Sequence, residues 1–198
     1  MRTGYTGRIG LRSGDLYESK LYAIESDIGW LAFWGDHRVL LGAAIGHSDQ
    51  LQAIRALTEK GAPLSSLAQL PDLPNRSWLA KLVRKMTDYT AGTQVCFDDV
   101  PIELSQLSNF RQRVIIACRQ IPYGETVTYS QLAARAGSPK AARAVGTTMA
   151  QNLYPIIVPC HRVVGADGSL RGFSAPRGVS LKQRLLEMER QRAGKSFA

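Results

Sequence analysis

The stretch "TYSQLAARAGSPKAARAVG", residues 128–146, decides how the second half of the chain folds. Thr128 is followed three residues later by Gln131, the pairing of a capping box, so a helix is predicted to start there. Gly137 stops it. Ser138 then offers a second N-cap, with Pro139 as the first helical residue. Two short helices joined by a tight glycine-containing turn make a helix-turn-helix outline. The second helix is rich in small residues, with Ala141, Ala142, Ala144 and Gly146 crowded around Arg143. Small side chains let a backbone approach a surface closely, and one arginine among them can protrude. A major-groove reader needs several long polar side chains on base edges. Here only Lys140 and Arg143 are long, which fits shape reading or insertion of one side chain from the minor groove. The same composition also fits a helix packed tightly in a core.

Downstream lies "IIVPCHRVVG", residues 156–165. The apolar run reads as a buried strand that delivers Cys160, His161 and Arg162. A thiol attacks as the thiolate, and a neighbouring base or positive charge favours that form. Adjacent side chains of an extended backbone point to opposite faces. Contact between Cys160 and His161 therefore needs a water or a kink, and Pro159 favours a kink. A histidine base gains from an orienting carboxylate, and the last helix, "VSLKQRLLEMERQR", supplies Glu187 and Glu189. The proposed relay does not need Arg162, which reads as structural or phosphate-facing. Upstream, "FRQRVIIACRQI" puts Phe110, Val114, Ile115, Cys118 and Ile121 on one helix face, making Cys118 a small core residue.

The first hundred residues read as a small antiparallel sheet with helices. "SKLYAIES", "GWLAFWG" and "RVLLGAAIG" are strands separated by turn residues. "SDQLQAIRALTEKG" is a helix capped by Ser48 or Asp49 and stopped by Gly61. "APLSSLAQLPDLPN" is a loop. "RSWLAKLVRKMTDYTAG" is a second amphipathic helix with Trp78, Leu79, Leu82, Val83 and Met86 on one stripe. "TQVCFDDVPIEL" is extended, with Cys96 packed inside it. None of these segments carries recognisable chemistry.

The chain has 198 residues and a formal charge of +9, an excess that favours a polyanion such as nucleic acid. Much of it lies beyond Ser108. Three cysteines without CxxC spacing argue against a disulfide framework, and three histidines without close pairing argue against a metal site. No apolar run is long enough to span a bilayer, and the basic opening residues lack a signal-peptide core. A cytoplasmic protein is expected, nuclear in a eukaryote.

Taken in order, "FRQRV", "IPYGETVTYSQLA", "SPKAARAVG", Asn152, "VPCHRVVGADGSLRGF" and "KQRLLEME" closely resemble the O6-alkylguanine-DNA alkyltransferases, the methylated-DNA–protein-cysteine methyltransferases. The resemblance is dense from Phe110 to Glu189 and faint before it. It implies an α+β protein in two parts: an RNase H-like support domain over 1–104 and a winged helix-turn-helix domain over 105–198 that binds DNA and accepts the alkyl group.

The resemblance makes Cys160 the acceptor that takes the alkyl group in one SN2 step and keeps it, with His161 as the base acting through a water. Glu189 would orient that histidine and Asn152 would brace the turn. Arg143 would be the finger that fills the stack. Tyr129 would help rotate the nucleotide and support the leaving guanine, and Lys140, Ala142 and Gly146 would face DNA. The carbonyls of Cys160 and Val163 would accept from the guanine amino group, Phe173 would lie against the base and Ser174 near O6. The implied partner is double-stranded DNA containing O6-alkylguanine, with O4-alkylthymine a poorer substrate, bound by a monomer without cofactor or metal.

Two departures stand out. Leu153 follows Asn152 where the family has proline, implying a less rigid entry, and the loop 174–178 is longer than usual. The alternatives are a non-catalytic damage sensor of the same superfamily, in which tryptophan commonly replaces the cysteine, a transcription regulator and a Cys-His hydrolase.

Overall fold

The computed structural model describes residues 19–70 and 77–194. The basic opening residues, the end of the Pro-rich loop, the first residue of the helix expected from Arg76 and the extreme C-terminus lie outside the described residues.

Strands β1 (Lys20–Ile24), β2 (Trp30–Gly35) and β3 (Leu40–His47) pair in that order as an antiparallel meander. Tyr22 faces Phe33, and Phe33 faces Ala43. Side chains alternate across a strand, and both phases here are apolar. Leu21, Ala23, Ala32, Trp34, Leu41 and Ala44 bury one face under helix α1 (Gln50–Thr58), against Ala53, Ile54 and Leu57. Tyr22, Ile24, Leu31, Phe33, Ala43 and Ile45 bury the other in a larger core. Coverage on both sides explains why these strands read as nearly continuous apolar runs. Asp49, not Ser48, caps α1, accepting from the Gln52 N–H at 2.8 Å.

The larger core is shared by α2 (Trp78–Thr90) and α3 (Asn109–Arg119). Ser77 caps α2, and its stripe runs Leu79, Leu82, Met86 and on to Tyr89. Cys118 is buried in this core as expected. The segment 93–104 departs from expectation. Its backbone pairs with β3 at an isolated bridge and not along a ladder, with Leu40 N–H donating to Pro101 at 2.9 Å and Glu103 N–H to Leu40 at 3.0 Å. Cys96 is exposed rather than packed. A side chain replaces the ladder, because Arg119 ties the carbonyls of Phe97, Asp98 and Val100 at 2.7, 3.1 and 3.0 Å.

Helices α4 (Tyr129–Arg135) and α5 (Ala142–Ala150) form the expected helical pair. The Thr128–Gln131 capping box is present in full. The start of α5 is a correction: it begins at Ala142, not Pro139. The Ser138 N–H instead closes the end of α4 on Ala133 at 2.9 Å, and a turn from Ser138 to Ala141 follows. Strands β4 (Val127–Thr128) and β5 (Val163–Val164) pair in parallel and set the start of α4 beside the end of the Cys160 segment. Helix α6 (Gly178–Arg192) buries Leu181, Lys182, Leu185, Leu186 and Glu189.

The apolar run 156–158 is not a strand. Ile156 has φ 75°, Pro155 and Val158 bridge each other, and Val158 N–H donates to Tyr154 at 2.8 Å. A β-branched residue in the left-handed region is strained. Asn152, described below, holds this turn closed. The described residues form an α+β fold with a small three-stranded antiparallel sheet, and none of their helices is long and apolar enough to cross a membrane.

Candidate active site

Cys160 opens a short 3-10 turn, Cys160–Arg162, and lines a cavity of about 590 Å³. Tyr129 lines it from the start of α4, and Ala142, Arg143, Gly146, Met149 and Ala150 from α5. Arg171, Gly172, Phe173 and Ser174 form the remaining wall. A β-carbon on Gly146 would lie 3.9 Å from the Tyr129 ring, an ordinary contact, so Gly146 and that ring are neighbours across the cavity wall. Arg143 is exposed on the cavity wall. The longer loop carrying Ser174 closes as a tight turn, with Gly178 N–H on Ala175 at 2.8 Å.

Other predicted residues stand off the cavity wall. Lys140 is exposed in the turn before α5. Val163 is buried in β5, and its carbonyl accepts from Lys182 Nζ at 2.6 Å. The Cys160 carbonyl accepts from the Val163 N–H.

Asn152 is fully engaged. Its Nδ2 donates to the Val158 carbonyl at 2.9 Å and to Cys160 Sγ at 3.2 Å. Its Oδ1 accepts from the Tyr154 N–H at 2.9 Å, which fixes the amide's orientation. The leucine that follows is compensated, because its carbonyl accepts from the Ala43 N–H of β3 at 2.8 Å. The backbone entry that proline would stiffen is instead anchored to the sheet.

Burial pushes the Cys160 thiol above its ordinary pKa, partly offset by the Asn152 donor and by Lys182. Cys160 therefore rests as a thiol and needs a base before it can attack. Lys182 is fully buried with no carboxylate partner among the described residues, and its Nζ donates to the carbonyls of Val163 and, at 3.4 Å, Arg171. Burial lowers its pKa, against a small upward pull from Cys160 and Cys118.

Behind the thiol lies a buried ionic network. His161 Nε2 is 2.8 Å from Glu189 Oε1. Arg162 grips the same carboxylate, Nε to Oε2 at 2.9 Å and Nη2 to Oε1 at 2.8 Å, and its Nη1 donates to Ile121 at 2.6 Å. Arg162 is accordingly structural, not phosphate-facing. Burial alone would raise the Glu189 carboxyl, but His161 and Arg162 overcome it and hold it well below the usual range. Burial pushes His161 below its ordinary value despite the upward pull of Glu189. A neutral imidazole that donates Nε2–H to an obligate acceptor keeps its lone pair on Nδ1. That Nδ1 is buried with no hydrogen-bond partner among the described residues. The set is thus a thiol, an imidazole with one free basic nitrogen, and a carboxylate that fixes the imidazole tautomer.

Sequence reading missed Tyr89, Lys182 and Gly124 here. Tyr89 continues the α2 stripe one step past Met86. Lys182 and Glu189 are seven residues apart on the apolar face of α6, and a charge at a core position is the signal that could have found both.

The family profile described as "6-O-methylguanine DNA methyltransferase, DNA binding domain" matches residues 109–191. The methylated-DNA–protein-cysteine methyltransferase of Mycobacterium bovis is 39% identical over 148 residues, covering 75% of this chain and 85% of that protein. The protein of the same name from Methanosarcina acetivorans is 40% identical over 124 residues, 61% of this chain and 76% of the relative. Among solved structures, Mycobacterium tuberculosis OGT in complex with DNA superposes with a TM-score of 0.69 at 33% identity, covering 87% of this chain and 94% of that one. A DNA-binding profile on the segment that carries the cavity, together with these relatives, shows that the chain belongs to the methylated-DNA–protein-cysteine methyltransferases, the alkyltransferases of DNA repair.

Proposed function

We propose that this protein repairs O6-alkylguanine in duplex DNA by moving the alkyl group onto Cys160 and keeping it there. His161 Nδ1 takes the thiol proton through a water. The thiolate attacks the alkyl carbon, the S–C bond forms as the C–O6 bond breaks, and guanine leaves with the electron pair. Tyr129 supports that leaving group. O4-alkylthymine would react by the same displacement, more slowly. No reductant or cofactor is needed, and each molecule acts once.

Chemistry on a base requires its removal from the stack. The reading gives α5 the minor groove, with Arg143 filling the gap left by the flipped nucleotide, and Lys140, Ala142 and Gly146 against the DNA backbone. Phe173 and Ser174 would hold the base, with the carbonyls of Cys160 and Val163 accepting from its amino group. A winged helix-turn-helix unit over 105–198, working as a monomer on an RNase H-like support over 1–104, completes the proposal. The observation that carries it is Cys160 in a cavity walled by small residues and Arg143, with a neutral histidine and its carboxylate behind.

The test is the intact mass of the protein after mixing with a duplex containing O6-methylguanine. A gain equal to one methylene on the Cys160 peptide, at one equivalent per protein, is expected. Damage binding with no mass gain would make the protein a sensor, and repeated turnover would overturn self-alkylation.

A further inference from the structure

A side chain of the N-terminal half touches the His161–Glu189 pair directly. Tyr89, near the end of α2, is fully buried, with its ring edge-on to Phe97 at 5.7 Å and to Tyr123 at 6.2 Å. Its hydroxyl donates to Glu189 Oε1 at 2.6 Å and lies 3.2 Å from His161 Nε2. The partners of Glu189 are then complete. Oε2 accepts from Arg162 Nε at 2.9 Å and from the Gly124 N–H at 3.1 Å. Oε1 accepts from Arg162, from His161 and from Tyr89. A carboxylate has about four lone-pair directions, so this one has none left over.

Two donors that share one oxygen compete for its charge. The phenol hydrogen draws density from Oε1 and so weakens the pull of Glu189 on the imidazole, holding His161 less basic than the pair alone would make it. The packed ring also fixes where the hydroxyl sits, and with it the plane of the carboxylate and the direction of His161 Nδ1. The titratable and charged groups facing this contact are Glu189 and Lys182 from α6, His161 and Arg162 from the 3-10 turn, and Tyr123 after α3. Tyr89 stays protonated, because burial and then the Glu189 charge push its phenol well above the ordinary value.

We infer that Tyr89 is a positioning residue for alkyl transfer, through which the N-terminal half sets the orientation and basicity of His161. This rests on the relay proposed above for Cys160 and His161.

The test uses the full chain with Tyr89→Phe, and with 3-fluorotyrosine at the same position. Single-turnover transfer from an O6-methylguanine duplex is followed from acid to neutral pH, alongside DNA affinity. In Tyr89→Phe the rate constant should fall about five- to tenfold, the order of one buried hydrogen bond. Its acid limb should move to higher pH, because His161 becomes more basic, with DNA affinity unchanged. 3-Fluorotyrosine, a stronger donor that keeps the hydroxyl and ring, should move the limb the other way. If both variants reproduce the wild-type pH profile, or only thermal stability changes, the inference about Tyr89 is wrong. If His161→Ala leaves the wild-type acid limb in place, the relay itself fails and the inference falls with it.

Discussion

Asn152 Nδ2 donates at once to the Val158 carbonyl and to Cys160 Sγ, at 2.9 and 3.2 Å. One amide thus closes the strained turn at Ile156 and points a donor at the thiol. A donor favours the thiolate over the thiol. Asn152→Asp keeps the shape, removes both donors and brings an anion to the sulfur. Transfer should slow by roughly two orders of magnitude, the scale of a lost activating contact to a nucleophile. The titration of Cys160, followed by thiol alkylation against pH, should move upward. A thiol titration unchanged in Asn152→Asp would exclude the donor role.

Arg162 and Glu189 form a buried pair with side-chain exposures of 8% and 0%. Removing one member of such a pair strands the other charge, at a cost of ~3–5 kcal/mol. Arg162→Met should lose about that much stability in denaturant unfolding. Arg162→Met with Glu189→Gln removes both charges and should recover part of the loss, while transfer stays impaired because His161 has lost its anion. Equal stability of the single and double variants would contradict this.

The same network predicts how stability depends on pH. Glu189 in the fold lies below its unfolded value, so its contribution is present above about pH 4.3 and is lost as pH falls. His161 is also depressed: below about pH 6.5 the unfolded chain takes up a proton that the fold refuses. Both act in one direction. Stability should decline from neutral pH in two stages, first with His161 and then with Glu189. Denaturant midpoints at several pH values check this, and His161→Asn should shrink the first stage and leave the second, the remainder of the first belonging to buried His47, which burial also lowers. A midpoint flat from pH 7 to 5 in the wild type would refute the assignment.

Gly124, in "IPYGE", serves the network from outside. Its φ is 73°, and an added β-carbon would lie 2.8 Å from Ala193 Cβ and 3.3 Å from the Glu189 carbonyl. Its N–H is also a donor to Glu189 Oε2. Gly124→Ala combines backbone strain with a push against α6, so a loss of ~1–3 kcal/mol is expected, with slower transfer because Glu189 shifts. A variant with wild-type melting temperature and rate would show that the turn adapts freely.

What the sequence made legible followed from local rules. The strands of the sheet, the Thr128–Gln131 capping box and the Cys118 core position came from periodicity and capping, which need no distant partner. Cys160 and His161 stood out as a thiol beside an imidazole, Asn152 and the choice of Glu189 over Glu187 came from the resemblance, and the structure brings the four together. The failures have physical causes. The run before Cys160 is as apolar as a strand, and the Asn152 bonds, made six and eight residues away, join the Val158–Tyr154 bond in holding it as a turn. The segment around Cys96 has strand composition, but Arg119 claims its carbonyls from another element. Tyr89 lies 100 residues from Glu189, and pairing at that range leaves no periodic trace in the sequence.

Arg143 is the residue for which DNA and small substrates should part company. It projects from α5 onto the cavity wall, among Ala142, Ala144 and Gly146, and stands apart from the buried network that activates the thiol. In the duplex, the target base must leave the stack, and unstacking costs a few kcal/mol. A side chain that fills the gap recovers part of that cost. The free base O6-benzylguanine carries no stack and gains nothing from it. Arg143→Ala should therefore slow transfer from an O6-methylguanine duplex by about a hundredfold or more, by the same unstacking argument. Its reaction with O6-benzylguanine should change less than about twofold, because the exposed Arg143 side chain stands apart from the Cys160, His161 and Glu189 contacts. Arg143→Lys, which keeps the charge but not the planar fork, should fall between wild type and alanine on the duplex. Rate constants for the two substrates on the three proteins decide the matter: parallel losses on both would place Arg143 in the pocket chemistry and not in the DNA stack.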